Sequence, residues 1–215
     1  MSNDIIAVVG MRDQGKTTWL RNNIAEEDNL IVIDTLGDHT FGSKGKPGWL
    51  PVPDKRDNLQ DVLDEIEIAA KQGFFQIGIP MPIDDEEKAI WFEYLCLEAY
   101  QTAEHHTKCT LVVEEMGLYT NTQQTPAGLN AIIQYGAHAG VNLIWTARNP
   151  AEVSRRLTSE TNMYVLFALH EPRWVEALGE RLTDDIAQRV TQLEPGHYLM
   201  VDRVGNVVKD AKLWP

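Results

Sequence analysis

Short apolar runs rich in β-branched residues alternate along this chain with longer stretches in which apolar residues return at helical spacing. Runs at residues 5–9, 30–33, 74–79, 109–113, 142–146, 163–168 and 198–202 predict strands. Their apolar character is nearly continuous rather than alternating, which marks strands buried on both faces. Helical patterns fall between them at 16–24, 58–71, 84–103, 126–139, 173–178 and 184–193. Strand and helix in alternation predict an α/β fold, a mostly parallel sheet flanked by helices on both faces. One domain over residues 1–215 accounts for the whole pattern. In the helix at 84–103, Ile90, Tyr94, Leu97 and Tyr100 or Gln101 are expected to face the core. The start of that helix, Asp84-Asp85-Glu86-Glu87, suits the positive end of its dipole. Residues 37–54, rich in Gly and Pro, and 117–126, rich in Thr, Asn and Gln, read as loops.

Composition narrows the class. The 215 residues are 43% apolar and 24% charged, enough apolar material for a substantial core and too much for a disordered tail. With 19 basic against 32 acidic residues the net charge is −13, which excludes a basic nucleic-acid coat. The imbalance is local, since residues 1–147 hold 10 basic and 22 acidic side chains and residues 148–215 hold 9 and 10. Arginines suited to facing phosphate therefore concentrate late in the chain, at Arg148, Arg155, Arg156, Arg173, Arg181, Arg189 and Arg203. No apolar run approaches the roughly 18 residues of a membrane span, and no basic region followed by an apolar stretch opens the chain. A soluble intracellular protein is expected, with Cys96 and Cys109 as buried thiols rather than a disulfide or metal site.

The sharpest chemical signal is Gly10-Met11-Arg12-Asp13-Gln14-Gly15-Lys16-Thr17, a complete G-x-x-x-x-G-K-[ST] set between the first predicted strand and the first predicted helix, with Thr18 following in that helix. Its glycines let the backbone wrap a phosphate chain, with N–H groups and the helix N-terminus aimed at the anion. Lys16 is expected to reach the β- and γ-phosphates of ATP, and the Thr17 hydroxyl to bind Mg²⁺. A nucleotide site of this kind needs an acid at the end of another apolar strand, and Leu111-Val112-Val113-Glu114-Glu115 supplies two. Glu114 is expected to hold Mg²⁺ through water, and Glu115 to polarise the attacking water as general base.

With these motifs in place the chain resembles the FtsK and HerA superfamily of DNA-pumping ATPases, and especially the small single-domain genome-packaging ATPases of viruses with internal membranes. Four segments carry the likeness: the P-loop; Asp34-Thr35-Leu36-Gly37-Asp38-His39, similar to the D-x-x-G-E-Y of the HerA group; the strand ending in Glu114-Glu115; and residues 136–150, in which a helix turns through Gly140 into a strand that runs to Arg148-Asn149-Pro150. Residues 151–158 also look familial, and together the segments span roughly residues 5–170. Glu114 stands where the family usually has Asp, Ala137 follows the glycine after which a basic residue is common, and Arg148 stands where a sensor Gln is usual. An Arg can still bond a phosphate oxygen bidentately.

The resemblance implies a RecA-like core and ATP hydrolysis coupled to translocation of double-stranded DNA into a capsid. It further implies a homo-oligomeric ring of identical subunits, a capsid or membrane-vertex protein as partner, and residence in the host cytoplasm or on the virion. In such a ring a neighbour's arginine completes each site, with Arg148, then Arg155 or Arg156, then Arg173 as candidates.

A P-loop also serves nucleoside and nucleotide kinases, whose arginine-bearing lid residues 152–156 could mimic, and nucleotide-gated assembly proteins that turn over slowly. The paired glutamates and the 34–39 segment favour the motor. His105-His106 with Cys109 lack a second ligand pair at metal-site spacing. Trp49, Trp91, Trp145 and Trp174 read as core or contact residues. Lys44 and Lys46 form the best small basic patch in the acidic portion, suited either to a DNA backbone or to a solvated loop.

Overall fold

The computed structural model describes residues 4–24, 27–35, 58–73 and 75–214. Among the described residues, eight strands and seven helices follow in the order β1 (Ile5–Val9), α1 (Lys16–Ile24), β2 (Asn29–Asp34), α2 (Leu59–Lys71), β3 (Phe75–Pro80), α3 (Asp85–His105), β4 (Cys109–Val113), α4 (Ala127–Ala139), β5 (Val141–Ala147), α5 (Arg155–Glu160), β6 (Met163–Leu166), α6 (Pro172–Arg181), α7 (Asp184–Val190), β7 (His197–Asp202) and β8 (Val207–Lys212). The strands are mostly parallel and the class is α/β, as the alternating pattern predicts. Residues 36–54, with Lys44, Lys46 and Trp49, and most of the 34–39 segment lie outside the described residues, as does Phe74.

Two compact units make up the chain. The described residues within Glu26–Glu114 and Pro126–Leu143 form one; those within Asp4–Ala25, Glu115–Thr125 and Ile144–Pro215 form the other. In the first, β2 lies between β3 and β4 and pairs with both in parallel, and the opening residues of β5 lie beyond β4. All five residues of β4 are buried, as suits a strand covered on both sides. Asn58 caps α2 by accepting from Gln60 N at 3.0 Å. Asp84 caps α3 by accepting from Glu86 N and Glu87 N, which makes the acidic opening the helix start that its sequence predicts. Helix α4 packs closely on α3 because Gly128 has no side chain: a Cβ there would lie 2.5 Å from Glu93 O.

The expected core face of α3 is corrected. Ile90 and Tyr94 are 54% and 50% exposed, and the buried stripe is Trp91, Phe92, Leu95, Cys96, Ala99, Thr102 and Ala103. Apolar residues occur almost all round this helix, so two stripes fit helical spacing. The heavier one, with Trp91 and Phe92, wins the core because burial scales with apolar area. Trp145 is likewise fully buried and Trp174 partly so. Both thiols are buried. Cys109 donates to Ala99 O at 3.4 Å while His105 and His106 are exposed, and burial pushes the Cys109 thiol up to about 12.

In the second unit the closing part of β5 is followed by β1, β6, β7 and β8. β1 and β6 run parallel, whereas β6–β7 and β7–β8 are antiparallel. β8 and α5 are elements that the apolar pattern does not predict. Among the described residues no helix is long and apolar enough to cross a membrane.

Candidate nucleotide site

The P-loop leaves β1 and enters α1 as its sequence predicts, and its path is fixed by the ends of two neighbouring strands. Gly10 N donates to Ala147 O at 3.2 Å and Met11 N to Ala168 O at 3.1 Å. Only glycine fits at position 10, where a Cβ would lie 2.5 Å from Phe167 Cβ. The loop then turns through two left-handed residues, Asp13 with φ 61° and Gly15 with φ 111°. Such turns bring successive N–H groups to one side, the concave arrangement that holds anions. Gly15 O accepts from Trp19 N at 2.8 Å and starts α1, whose buried Trp19, Leu20 and Ile24 anchor it in the core.

Lys16 folds back over this cradle. Its Nζ donates to Gly10 O at 2.7 Å and Met11 O at 2.8 Å, so the ammonium is held above the wrapped backbone instead of extending into solvent. Gln14, Gly15, Lys16 and Thr17 are half-buried, as is Met11, while Arg12, Asp13 and Thr18 are exposed at the loop surface. The cradle thus has a glycine at the close approach, a tethered ammonium and a hydroxyl on the first turn of α1. These fit a triphosphate with Mg²⁺. Among the described residues no cluster of three His, Cys, Asp or Glu forms a metal cage.

Glu115 belongs to the same unit and carries an unusual backbone. Its φ of 53° and ψ of 58° are left-handed, a conformation that costs a non-glycine residue roughly 1–2 kcal/mol. Three contacts hold it there. Glu115 N donates to Thr146 Oγ1 at 3.0 Å, Glu115 Oε1 accepts from Arg148 N at 3.1 Å, and Glu115 Oε2 pairs with Arg148 Nε at 2.9 Å. One peptide group links this carboxylate to the P-loop, since Ala147 O accepts from Gly10 N while the N–H across the same peptide, that of Arg148, donates to Glu115. Such strain persists only where surrounding contacts hold the backbone in place, as these three do. Glu114, at the end of β4 in the other unit, is buried; its N donates to Ile33 O at 3.1 Å and its carbonyl accepts from Thr35 Oγ1 at 2.8 Å.

The late arginines separate into two groups. Arg181 is tied to Thr158 O, Ser159 O and the Tyr164 ring, Arg189 to Asp210, and Arg148 to Glu115 of its own chain. Arg155, Arg156 and Arg173 are exposed. Thr146, which holds Glu115, is absent from the sequence reading. Its one signal is a hydroxyl two residues before Arg148, at the end of the apolar run Leu143-Ile144-Trp145.

No protein-family model and no curated protein matches the sequence. Solved structures match its fold over nearly the whole chain. The genome-packaging NTPase B204 of Sulfolobus turreted icosahedral virus 2, in complex with AMPPCP, matches with a TM-score of 0.76 at 16% identity, covering 98% of this chain and 97% of that one. B204 of Sulfolobus turreted icosahedral virus, described as a DNA-packaging ATPase, matches with a TM-score of 0.73 at 17% identity, covering 99% and 98%. VirB4 of Thermoanaerobacter pseudethanolicus matches with a TM-score of 0.66 at 12% identity, covering 98% and 89%. At 12–17% identity these matches show that the chain shares the fold of those proteins.

Proposed function

We propose that this chain hydrolyses ATP and uses the energy to translocate double-stranded DNA, as the packaging motor of a viral capsid. The observation that carries the reading is a complete P-loop whose first glycine and the Glu115 carboxylate are bonded to the two sides of one peptide group, in a fold shared end to end with genome-packaging NTPases.

In this reading Gly10 to Thr18 hold the nucleotide. Backbone N–H groups and Lys16 offset the phosphate charge, the Thr17 hydroxyl would bind Mg²⁺, and Glu114 is assigned from its motif to hold Mg²⁺ through water. Mg²⁺, when bound, would supply positive charge to the phosphates. Glu115 takes the proton of the attacking water. Arg148 aims that carboxylate within its own chain, through both its N–H and its guanidinium, and would sense the phosphate as hydrolysis proceeds. An arginine acting on a neighbour's nucleotide is then best sought in the exposed pair Arg155 and Arg156. The working form is a ring of identical subunits around the DNA, recruited by a capsid or membrane-vertex protein, in the host cytoplasm or on the virion. A net charge of −13 suits a motor that grips DNA weakly through a few groups more than one that coats it.

Steady-state ATP turnover and assembly state, measured with and without long double-stranded DNA, test the proposal. Turnover per subunit should rise with DNA and with protein concentration. Turnover indifferent to DNA, with phosphate passing to an added nucleoside, would instead assign a kinase; nucleotide binding without turnover would assign a gated assembly protein.

A further inference from the structure

The segment after β8 returns to the P-loop. Leu213 N donates to Gly196 O at 2.9 Å, and Gly196 N in turn donates to Gln14 O at 3.0 Å, so a continuous backbone path ties Leu213 and Trp214 to the middle of the loop. The Trp214 indole packs against this junction. A Cβ on Gly196 would meet Trp214 Cε2 at 2.4 Å and Cζ2 at 2.5 Å, and a Cβ on Gly15 would meet Cη2 at 3.2 Å. Both glycines have positive φ, 80° and 111°, so the close approach rests on two positions that strongly favour glycine.

A second aromatic residue touches the same glycine, and the contrast is informative. Phe167 Cε1 would lie 3.2 Å from a Cβ on Gly15, but Phe167 is fully buried and packs on Tyr198, as a core residue does. Trp214 is 43% exposed. A large aromatic surface is therefore open to solvent directly beside the cradle. A nucleotide whose phosphates occupy the cradle must carry its sugar and base out over the rim of the loop. A flat, exposed indole fixed at that rim by backbone hydrogen bonds offers the base a stacking surface with little ordering left to do.

We propose that Trp214 is the platform on which the base of the bound nucleoside triphosphate stacks. The inference rests on the P-loop reading above and adds the residue that recognises the base.

Equilibrium binding of two probes, ATP and inorganic tripolyphosphate, each with Mg²⁺, separates base recognition from phosphate recognition. Trp214→Ala should weaken ATP about tenfold, the size of one aromatic–base stack, and leave tripolyphosphate within about twofold. Trp214→Phe, which keeps an aromatic face, should retain most of the ATP affinity. Unchanged ATP affinity in Trp214→Ala would overturn the proposal. Equal losses for both probes would overturn it too, since Trp214 would then only brace the loop. Lys16→Ala should weaken both probes in the Trp214-containing chain. If it weakens neither, the P-loop reading falls and the role of Trp214 with it, an outcome distinct from a failure confined to Trp214.

Discussion

Lys16→Ala should abolish tight ATP binding and lower turnover by at least roughly 10²–10³, the loss typical of removing one well-placed stabiliser of transition-state charge. The fold should survive. In the structure Lys16 Nζ donates to carbonyls of its own loop, Gly10 O and Met11 O. Bonds of this kind contribute about 1–3 kcal/mol each, a modest part of the about 5–15 kcal/mol that holds a domain together. The strand-end bonds from Gly10 N to Ala147 O and from Met11 N to Ala168 O do not involve the side chain and should keep the loop in place. Calorimetric nucleotide titration beside a thermal melt checks both halves of the expectation. A variant that binds and hydrolyses ATP like the parent would show that the loop is not a phosphate site.

Glu115→Gln should separate binding from chemistry. The amide keeps the shape of the side chain and can still accept from Arg148 N, but it cannot take a proton. ATP with Mg²⁺ should bind almost normally while turnover falls by roughly 10²–10⁴, as for loss of a general base. Replacing Glu114 by Gln should act differently, chiefly by raising the Mg²⁺ concentration needed for half-maximal activity. Rate measurements across a Mg²⁺ series for both variants decide the matter, and equal effects on metal demand would refute the division of roles between the two carboxylates.

Much of the molecule is readable in its sequence for a simple reason. A buried parallel strand needs a continuous apolar run, and β1, β2, β4, β5 and β6 each have one. The P-loop is legible because its glycines answer steric demands that no other residue meets. Elements without a buried face leave no such trace. In β8, Val-Val-Lys-Asp-Ala-Lys, only Ala211 is even partly buried, and Lys209 and Lys212 mark it as a charged edge strand. Helix α5 buries only Leu157 in six residues, too few for periodicity. The face of α3 was ambiguous because two apolar stripes satisfy one spacing, and only packing chooses between them. In the site, Lys16 and Glu115 are visible from motif spacing. The left-handed backbone of Glu115, its hold by Thr146, the pairing with Arg148 and the return of Trp214 to Gly15 arise from tertiary contacts between residues far apart in the chain, which local pattern does not encode.

The most direct test of the account is displacement of a third DNA strand from the far end of a long duplex, which a translocating motor strips as it arrives. The account predicts ATP-dependent release by the wild-type chain, with a delay that grows with duplex length, and none by Glu115→Gln. A wild-type chain that hydrolyses ATP at its full DNA-stimulated rate yet leaves the third strand in place at every duplex length would contradict it.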